Sequence, residues 1–384
     1  MGGSIGRDQR QQVMRPRLLI IGPTPPPFHG VAVAIRLLLD SAIAERFSLR
    51  HLDLADRRGI QHVNKPDVHD VWLFVKQWVG LLQLLLTGRP CITYLVLSQT
   101  TIGFMRDTLL LLPAWMLGSR LVLHLHGGYL GEWYAHRSFA MQWLVRTVLR
   151  RATRVIVLGE TFRHIFTGIL PGHKIAVVPN GIEMGSPAPA ARHSCGKEAF
   201  TVLHLGTLSH LKGTLILLRA IPLVLARQQH VKFTLAGPWS YPEDQAWAED
   251  FIQHHNLSGH VSLPGQIERS EKDTLFAGAD LFVFPGVQQE GQPLVALEAM
   301  AAGLPVVFTN RGCLRETIVD GEAGIEIPID DPNALADAII WFFHHPDERE
   351  AMGRRGHERV RTHFTKAHHI SKMIQVFTEA DKAA

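Results

Sequence analysis

Short, nearly continuous apolar runs recur along the chain, and longer stretches of helical period separate them. In the first half these runs are RLLIIG (17–22), CITYLVL (91–97), RLVLHLH (120–126), RVIVLG (154–159) and IAVVP (175–179). In the second half TVLHLG (201–206), VKFTLAG (231–237), HVSLPG (260–265), DLFVFP (280–285) and PVVFT (305–309) repeat the arrangement. A strand that is apolar on both faces belongs to a sheet covered on both sides, and strands that alternate with helices pair in parallel. Two such series predict an α/β protein built from two doubly wound domains. Between them GSPAPAARHSCGKEA (185–199) is rich in Pro, Ala and Gly and has no period, so it reads as a linker. The expected organisation is a flexible tail over 1–16, an N-terminal domain over 17–184, the linker over 185–199 and a C-terminal domain over 200–384. The stretch from about Asp347 to Ala380 is helical in pattern; the sequence leaves open whether it packs on the second domain or reaches back across the linker.

Composition narrows the class. With 384 residues, 46% hydrophobic and 19% charged, the chain has material for two large cores, which excludes global disorder. The three cysteines, Cys91, Cys195 and Cys313, are scattered and form no CxxC or disulfide framework, as suits a reducing cytosol. The N-terminal MGGSIGRDQRQQVMRPR lacks an apolar core and is expected not to be a signal peptide. The longest apolar stretch, VWLFVKQWVGLLQLLLTG (71–88), carries Lys76 and Gln77. It falls short of the roughly 20 apolar residues a membrane span needs, and a buried or interfacial helix is expected instead. Charge is divided unevenly. Up to residue 181 there are 21 Lys and Arg against 10 Asp and Glu; beyond it there are 18 against 25. A basic half of this kind attracts nucleic acid, anionic lipid or phosphorylated substrates. RNA binding calls for basic and aromatic residues interleaved on one exposed face, and no such module is visible, so nucleic acid is not an expected partner.

The chemistry-bearing residues cluster where predicted strands end, which is where open α/β sheets bind ligands. In IIGPTPPPFHGVAVAIRLLLD a strand ends at Gly22, and Gly30 opens a helix; with no Cβ, Gly30 lets a phosphate approach the backbone. A GxGxxG fingerprint is absent. In LVLHLHGGY, His124 and His126 share one strand face, and His126 stands before Gly127 and Gly128 at the strand end. A His-x-His pair suits a metal, but no accompanying ligand set is found, so no metal is expected. His124 reads as a packed strand residue and His126 as a group facing a cleft. In LHLGTLSHLKGTLILLRAI, Lys212 precedes a helix as a phosphate-binding lysine does, although the order Lys-Gly-Thr is not that of a Walker motif. In DLFVFPGVQQEGQPLVALEAMAAG, strand, loop and helix follow in order. The backbone amides of Gly291, Gln292, Leu294 and Val295 are expected to point at a ligand whose negative charge the helix dipole favours. Glu298 lies about two turns beyond Glu290, so both carboxylates face the same side. Carboxylates repel a phosphate but grip hydroxyls, and one on each side of a diphosphate fits a hexose and a ribose, that is, a nucleotide sugar.

EGQPLVALEAMAAGLPVV (290–307), together with PPPFHG, LHLHGG, VPNGIE (178–183) and GTLSHLKG in that order and spacing, resembles the signature of the family-4 retaining glycosyltransferases of GT-B fold. The likeness covers residues 17 to about 375. It implies an acceptor-binding N-terminal domain, a C-terminal domain that binds the sugar nucleotide, and a cleft between them. By position, the resemblance puts Gly30 near the diphosphate, His126 and Gly127 beside the transferred sugar, and Lys212 on the leaving diphosphate. Glu290 is matched to sugar hydroxyls and Glu298 to the ribose. The loop Gly291, Gln292, Pro293, Leu294 and Val295 is matched to the sugar and phosphate, and Gly265, Gln266 and Ile267 to the base. Catalytic roles fall on His126, Lys212 and Glu290, with no cofactor and no metal. The chain departs from the pattern twice. Thr207 stands five residues before Lys212, where the family has arginine, and His210 is a candidate to supply the missing charge. His29 stands where the family often has a glycine before Gly30.

HRSFAMQWLVRTVLRRATR (136–154) mixes arginines with Phe139, Trp143, Leu144 and Val148, and such a basic amphipathic helix reads equally as a membrane-surface helix or as an ordinary domain helix with a solvated basic edge. Arg146, Arg150 and Arg151 are therefore candidate acceptor or membrane contacts. The expected activity is transfer of a hexose from a UDP- or GDP-sugar to a saccharide or lipid-linked acceptor, in bacterial surface polysaccharide or glycolipid synthesis. The expected location is the cytoplasm, peripheral on the inner face of the membrane. A sugar-nucleotide epimerase, or a non-catalytic sugar-nucleotide-binding protein of the same architecture, is the alternative.

Overall fold

In a computed structural model of the chain the described residues are 15–26, 30–57, 68–184 and 199–383. Most of the predicted tail, His29 and nearly all of the predicted linker lie outside them. The strands are β1 (Arg17–Gly22), β2 (Ser48–Asp53), β3 (Ile92–Val96), β4 (Arg120–Leu125), β5 (Arg154–Val157), β6 (Ile175–Val177), β7 (Phe200–Leu205), β8 (Val231–Ala236), β9 (Val261–Gly265), β10 (Leu281–Phe284), β11 (Val306–Thr309) and β12 (Gly324–Ile327). The helices of the first half are α1 (Gly30–Leu39), α2 (Ile43–Arg46), α3 (Val68–Leu86), α4 (Thr101–Met116), α5 (Leu130–Ala135) and α6 (Phe139–Arg151). Those of the second are α7 (Thr214–Leu225), α8 (Pro242–His254), α9 (Arg269–Gly278), α10 (Leu294–Ala301), α11 (Leu314–Thr317), α12 (Pro332–His344), α13 (Pro346–His363) and α14 (Lys366–Lys382).

The strands form two six-stranded sheets, ordered β2-β1-β3-β4-β5-β6 and β12-β11-β10-β7-β8-β9, and every pairing is parallel. Alternation within the apolar strands explains the double winding. Leu18 and Ile20 face one core layer while Leu19 and Ile21 face the other, and all four are essentially fully buried. In β10, Leu281 and Val283 face one layer and Phe282 and Phe284 the opposite one. Each sheet reverses its strand order once, between β1 and β3 and between β7 and β10. Such switch points open crevices at the carboxyl ends of the strands.

The structure decides the course of the C-terminal stretch. Pro346 opens α13, and the Thr365 cap divides the stretch into α13 and α14. α13 packs on α10, whereas α14 crosses back to the first sheet, where Ile370, Met373, Val376 and Phe377 join the core of β1, β3 and β4. Phe377 meets the rings of Phe47 and Tyr94 edge to face.

Candidate functional site

The crevice of the second sheet is built at its switch point. His204, buried near the end of β7, bonds the Val283 carbonyl of β10 through Nδ1 at 3.0 Å and the Thr214 hydroxyl through Nε2 at 3.1 Å. Donation to a carbonyl makes Nδ1 the protonated nitrogen, so Nε2 accepts from Thr214. Thr214 Oγ1 in turn accepts from the Ser209 N–H. Burial pushes His204 down to about 4, a backbone bond to Val283 opposes this, and the Lys212 charge adds to the fall; the ring is neutral. This network fixes the loop between β7 and α7. Gly213 makes the close approach possible: its φ is +81°, and a Cβ there would overlap the Pro285 carbonyl.

Lys212 Nζ lies 2.5 Å from Glu290 Oε1, and Gln288 Nε2 donates to the same oxygen at 2.8 Å. The pair is largely enclosed, with side-chain exposures of 27% for Lys212 and 10% for Glu290. Beyond Glu290, Pro293 caps α10 without any side-chain cap bond, so the N–H groups of Leu294 and Val295 open the helix with no intrahelical acceptor. Pro293 itself has no N–H and contributes only a fixed backbone angle. The side chain of Gln292 is committed elsewhere. Its Oε1 accepts from Asn180 N at 2.7 Å, its carbonyl accepts from Asn180 Nδ2 at 2.9 Å, and its Nε2 donates to Thr317 Oγ1 at 2.9 Å.

From the first sheet, the end of β4 meets this loop directly. A Cβ on Gly291 would overlap the His126 carbonyl, and one on Gly128 would stand 2.8 Å from the Glu290 carbonyl. Gly127 lies against the Gln99 side chain, beyond β3. His126 keeps part of its surface open, but its Nε2 is buried and has no hydrogen-bond partner among the described residues. Its ring lies tilted against that of His124, with centroids 3.9 Å apart, and His124 Nδ1 bonds the Tyr94 hydroxyl at 2.7 Å. Burial, with repulsion from His369, pushes His126 down to about 3. Burial likewise lowers His124 and His369. The cluster is therefore neutral at physiological pH, and His126 offers a hydrogen bond rather than a charge.

The predicted site residues thus divide into groups. His126, Gly127, Lys212, Glu290, Gly291 and Gln292 come together. Glu298, in α10, is held by Lys272 of α9 and not by the Lys212 pair. Gly30 opens α1 at the carboxyl end of β1 with open space where a Cβ would stand; Thr24, in the loop before it, is pinned by Asp53 through its N–H at 3.0 Å and its hydroxyl at 2.9 Å. Gly265 ends β9, and its carbonyl accepts from Gly237 N; Gln266 is exposed and Ile267 is half-buried against the second core. Arg146 reaches Tyr134, Arg151 lies over Trp115 at 4.0 Å and Arg150 is exposed, so these three line the outer helices rather than the crevice. His210 is turned to Asp244, which bonds both its N–H at 2.7 Å and its Nδ1 at 2.9 Å, so it does not stand free in place of the missing arginine.

Several residues that hold the two halves together carried no signal in the sequence. His369 Nδ1 donates to the Pro179 carbonyl at 2.7 Å. Glu316 accepts from Glu160 N at 2.8 Å and also from Thr161, capping a 3₁₀ turn of the first half from the second. Arg311, next to Gly312 on the loop after β11, has a buried Nε with no partner among the described residues. Among the described residues no group of three or more His, Cys, Asp or Glu side chains is placed to hold a metal ion.

Comparison with known proteins agrees with this architecture. Residues 190–359 match the model of Glycosyl transferases group 1, and residues 102–186 that of Glycosyltransferase Family 4. A phosphatidyl-myo-inositol mannosyltransferase of Mycolicibacterium smegmatis is 32% identical over 191 residues, 49% of this chain and 48% of that protein. The chain spans about half the length of the curated relatives it matches. Sucrose-phosphate synthase from Thermosynechococcus elongatus superposes with a TM-score of 0.74 at 19% identity, covering 96% of this chain and 100% of that one. Anabaena Alr3699/HepE, solved in complex with UDP, superposes with a TM-score of 0.74 at 18% identity over 94% of this chain and 100% of that one. Two parallel sheets meeting at their carboxyl ends, and two family models that together cover more than half of the residues, identify the chain as a member of the group 1 glycosyltransferases with the GT-B fold.

Proposed function

We propose that the protein is a retaining, metal-independent hexosyltransferase that moves a hexose from a UDP- or GDP-sugar to a saccharide or lipid-linked acceptor. The observation that carries this reading is the enclosed Lys212–Glu290 pair, set between the uncapped start of α10 and the neutral His126. An entering donor divides the pair. Its diphosphate takes Lys212 and the open amides of α10, while its sugar hydroxyls take Glu290. Gly30, with free space above its backbone, admits the diphosphate from the other side. Glu298 takes the ribose from Lys272, and Gly265, Gln266 and Ile267 face the base.

Charge grows on the diphosphate as the C1–O bond breaks, and the ammonium and oriented amides stabilise that charge more than the ground state. The sugar becomes oxocarbenium-like. An acceptor hydroxyl attacks C1 on the face the diphosphate leaves, which retains configuration, and its proton passes to the departing phosphate oxygen. His126, uncharged, orients a sugar hydroxyl without repelling the cationic sugar. The name of the mycobacterial relative joins a hexose to a lipid headgroup, which supports a lipid-linked acceptor, a role in surface polysaccharide or glycolipid synthesis, and work at the inner membrane face with Arg146, Arg150 and Arg151 towards anionic lipid.

A panel of UDP- and GDP-hexoses, scored for release of nucleoside diphosphate with and without EDTA, tests the reading. Hydrolysis or transfer of one donor, unchanged by EDTA, is the expected result. Strict dependence on a divalent ion would remove the metal-free scheme, and formation of an epimer without release of nucleotide would favour the epimerase alternative.

A further inference from the structure

The largest feature that donor chemistry leaves unused is the outer surface of α3, α4 and α6. All three helices bury one face in the same core layer, through Leu81 and Leu85, Phe104 and Leu111, and Val145 and Leu149. The opposite faces of α3 and α4 are also largely apolar, and that of α6 mixes Phe139 and Trp143 with arginines. On α3, Val68, Trp72, Val75, Val79 and Leu86 form an outward stripe; on α4, Ile102, Met105, Leu109, Leu112 and Met116 recur at spacings of three and four. Exposure reaches 86% at Val68, 72% at Met116 and, on α6, 84% at Phe139. A helix that is apolar all round is ordinarily enclosed, and scattered apolar side chains are ordinary where contiguous ones are not. The stripes are contiguous. α3 packs on α4, Arg137 before α6 reaches Thr101 at the start of α4, and Arg151 at the end of α6 lies over Trp115 near the end of α4.

We infer that this three-helix face is the protein's seat on an anionic lipid bilayer, with the α3 and α4 stripes sunk into the headgroup–acyl boundary and the cations around them on the headgroups. The inference deepens the membrane contact proposed above by assigning the holding force to apolar burial rather than to arginine charge alone. Charge is absent from the α4 stripe: its two charged residues, Arg106 and Asp107, pair with each other at 2.8 Å, and Asp107 is buried. Cations stand beside the stripes instead. Lys76 lies over Trp72 at 5.3 Å, Arg151 over Trp115 at 4.0 Å, and Arg146 and Arg150 are exposed along α6 with Trp143. Tryptophan prefers the membrane–water boundary, and long cationic side chains reach from apolar surface to headgroups. A second copy of the chain is a poorer occupant, because self-association of this face would bring its own cations together, whereas anionic headgroups complement them. Among the described residues no helix is long and apolar enough to cross a membrane, so α3, about 28 Å long, lies in the surface.

Flotation of the full chain with vesicles of phosphatidylcholine containing 30% phosphatidylglycerol, at low and high NaCl, tests the assignment. The wild type is expected to stay partly bound at high salt. Ile102→Ser/Leu109→Ser/Met116→Ser should weaken binding at least tenfold while nucleotide release from the donor persists. Leu223→Ser/Ile329→Ser, at exposed apolar positions of the other half, should bind as the wild type does. Arg146→Gln/Arg150→Gln/Arg151→Gln should lose the preference for anionic lipid but keep the salt-resistant part. Complete release of the wild type by salt, or unaltered binding of the α4 triple variant, would overturn apolar seating and leave a purely electrostatic contact. Absence of binding in every condition would remove both ideas. A concentration-dependent dimer in sedimentation, abolished by the α4 substitutions, with no vesicle binding, would assign the face to a second copy instead.

Discussion

The two halves share an architecture, six parallel strands with helices on both faces, yet their surfaces differ. Among the described residues, 18 of the 20 exposed large hydrophobics lie between Val33 and Trp143, and only Leu223 and Ile329 lie in the second half. The first half is also the basic one and the second the acidic one. Their crevice loops differ in the same sense. The first half brings His126, whose Nε2 has no partner among the described residues, and the second brings Lys212 already bound to Glu290. The fold therefore fixes where a ligand can sit, at the carboxyl ends of the strands, while side chains decide what each half can hold. In the proposed reading, the acidic half takes an anionic donor through a few enclosed cations and oriented amides, not through its net charge.

The comparison breaks most readily at Lys212. If the second half supplies the charge for departure, Lys212→Ala should lower kcat about 10²–10³-fold while donor KM changes much less. Steady-state kinetics against donor concentration reads both, and a loss confined to KM would make Lys212 a uniform binder.

Acid tests the histidines of the crevice. Their folded values lie below the ordinary 6.5, with His126 near 3 and His204 near 4, so the unfolded chain takes up more protons between those limits. Their contribution is complete above about pH 6.5 and is lost as pH falls, by about 1.4 kcal/mol per pH unit for each histidine. Tm should therefore drop steeply from pH 6.5 to 5, and His369→Gln, which removes one of the titrating rings between the halves, should flatten the slope. A Tm independent of pH over that range would show that the rings protonate freely.

A smaller effect belongs to Glu298. Loss of one charge-assisted bond to a ribose should weaken binding of the bare nucleotide about tenfold in Glu298→Ala, read by calorimetry. Equal affinity in a folded variant would confine Glu298 to its pair with Lys272.

Ten of the twelve described strands were legible because each carries an apolar run; most are buried on both faces, while the edge strands β6 and β9 are half open. The two that were not, β2 (SLRHLD) and β12 (GIEI), are edge strands as well, but charge interrupts their apolar runs, at Arg50 in β2 and at Glu326 in β12. α3 was legible as a helix, but its outward apolar face emerged only once its neighbours were placed. In the crevice, Lys212, Glu290 and the start of α10 were announced by strand-loop-helix order, since strand ends and helix amides are local facts. Lys272, His204 and Glu316 were not, because nothing in their own neighbourhood marks them.

The sequence by itself determined that there are two parallel, doubly covered sheets and that chemistry gathers at their strand ends, because alternation, apolar runs and glycine positions act over a few residues. Only the tertiary structure decided which groups meet. Asn180 clasps Gln292 across 112 residues, His369 reaches Pro179 across 190, and α14 returns to the first sheet. The ion pair that occupies Glu290 joins residues 78 apart. Such contacts depend on how two separately wound sheets face one another, and no local period along the chain encodes that.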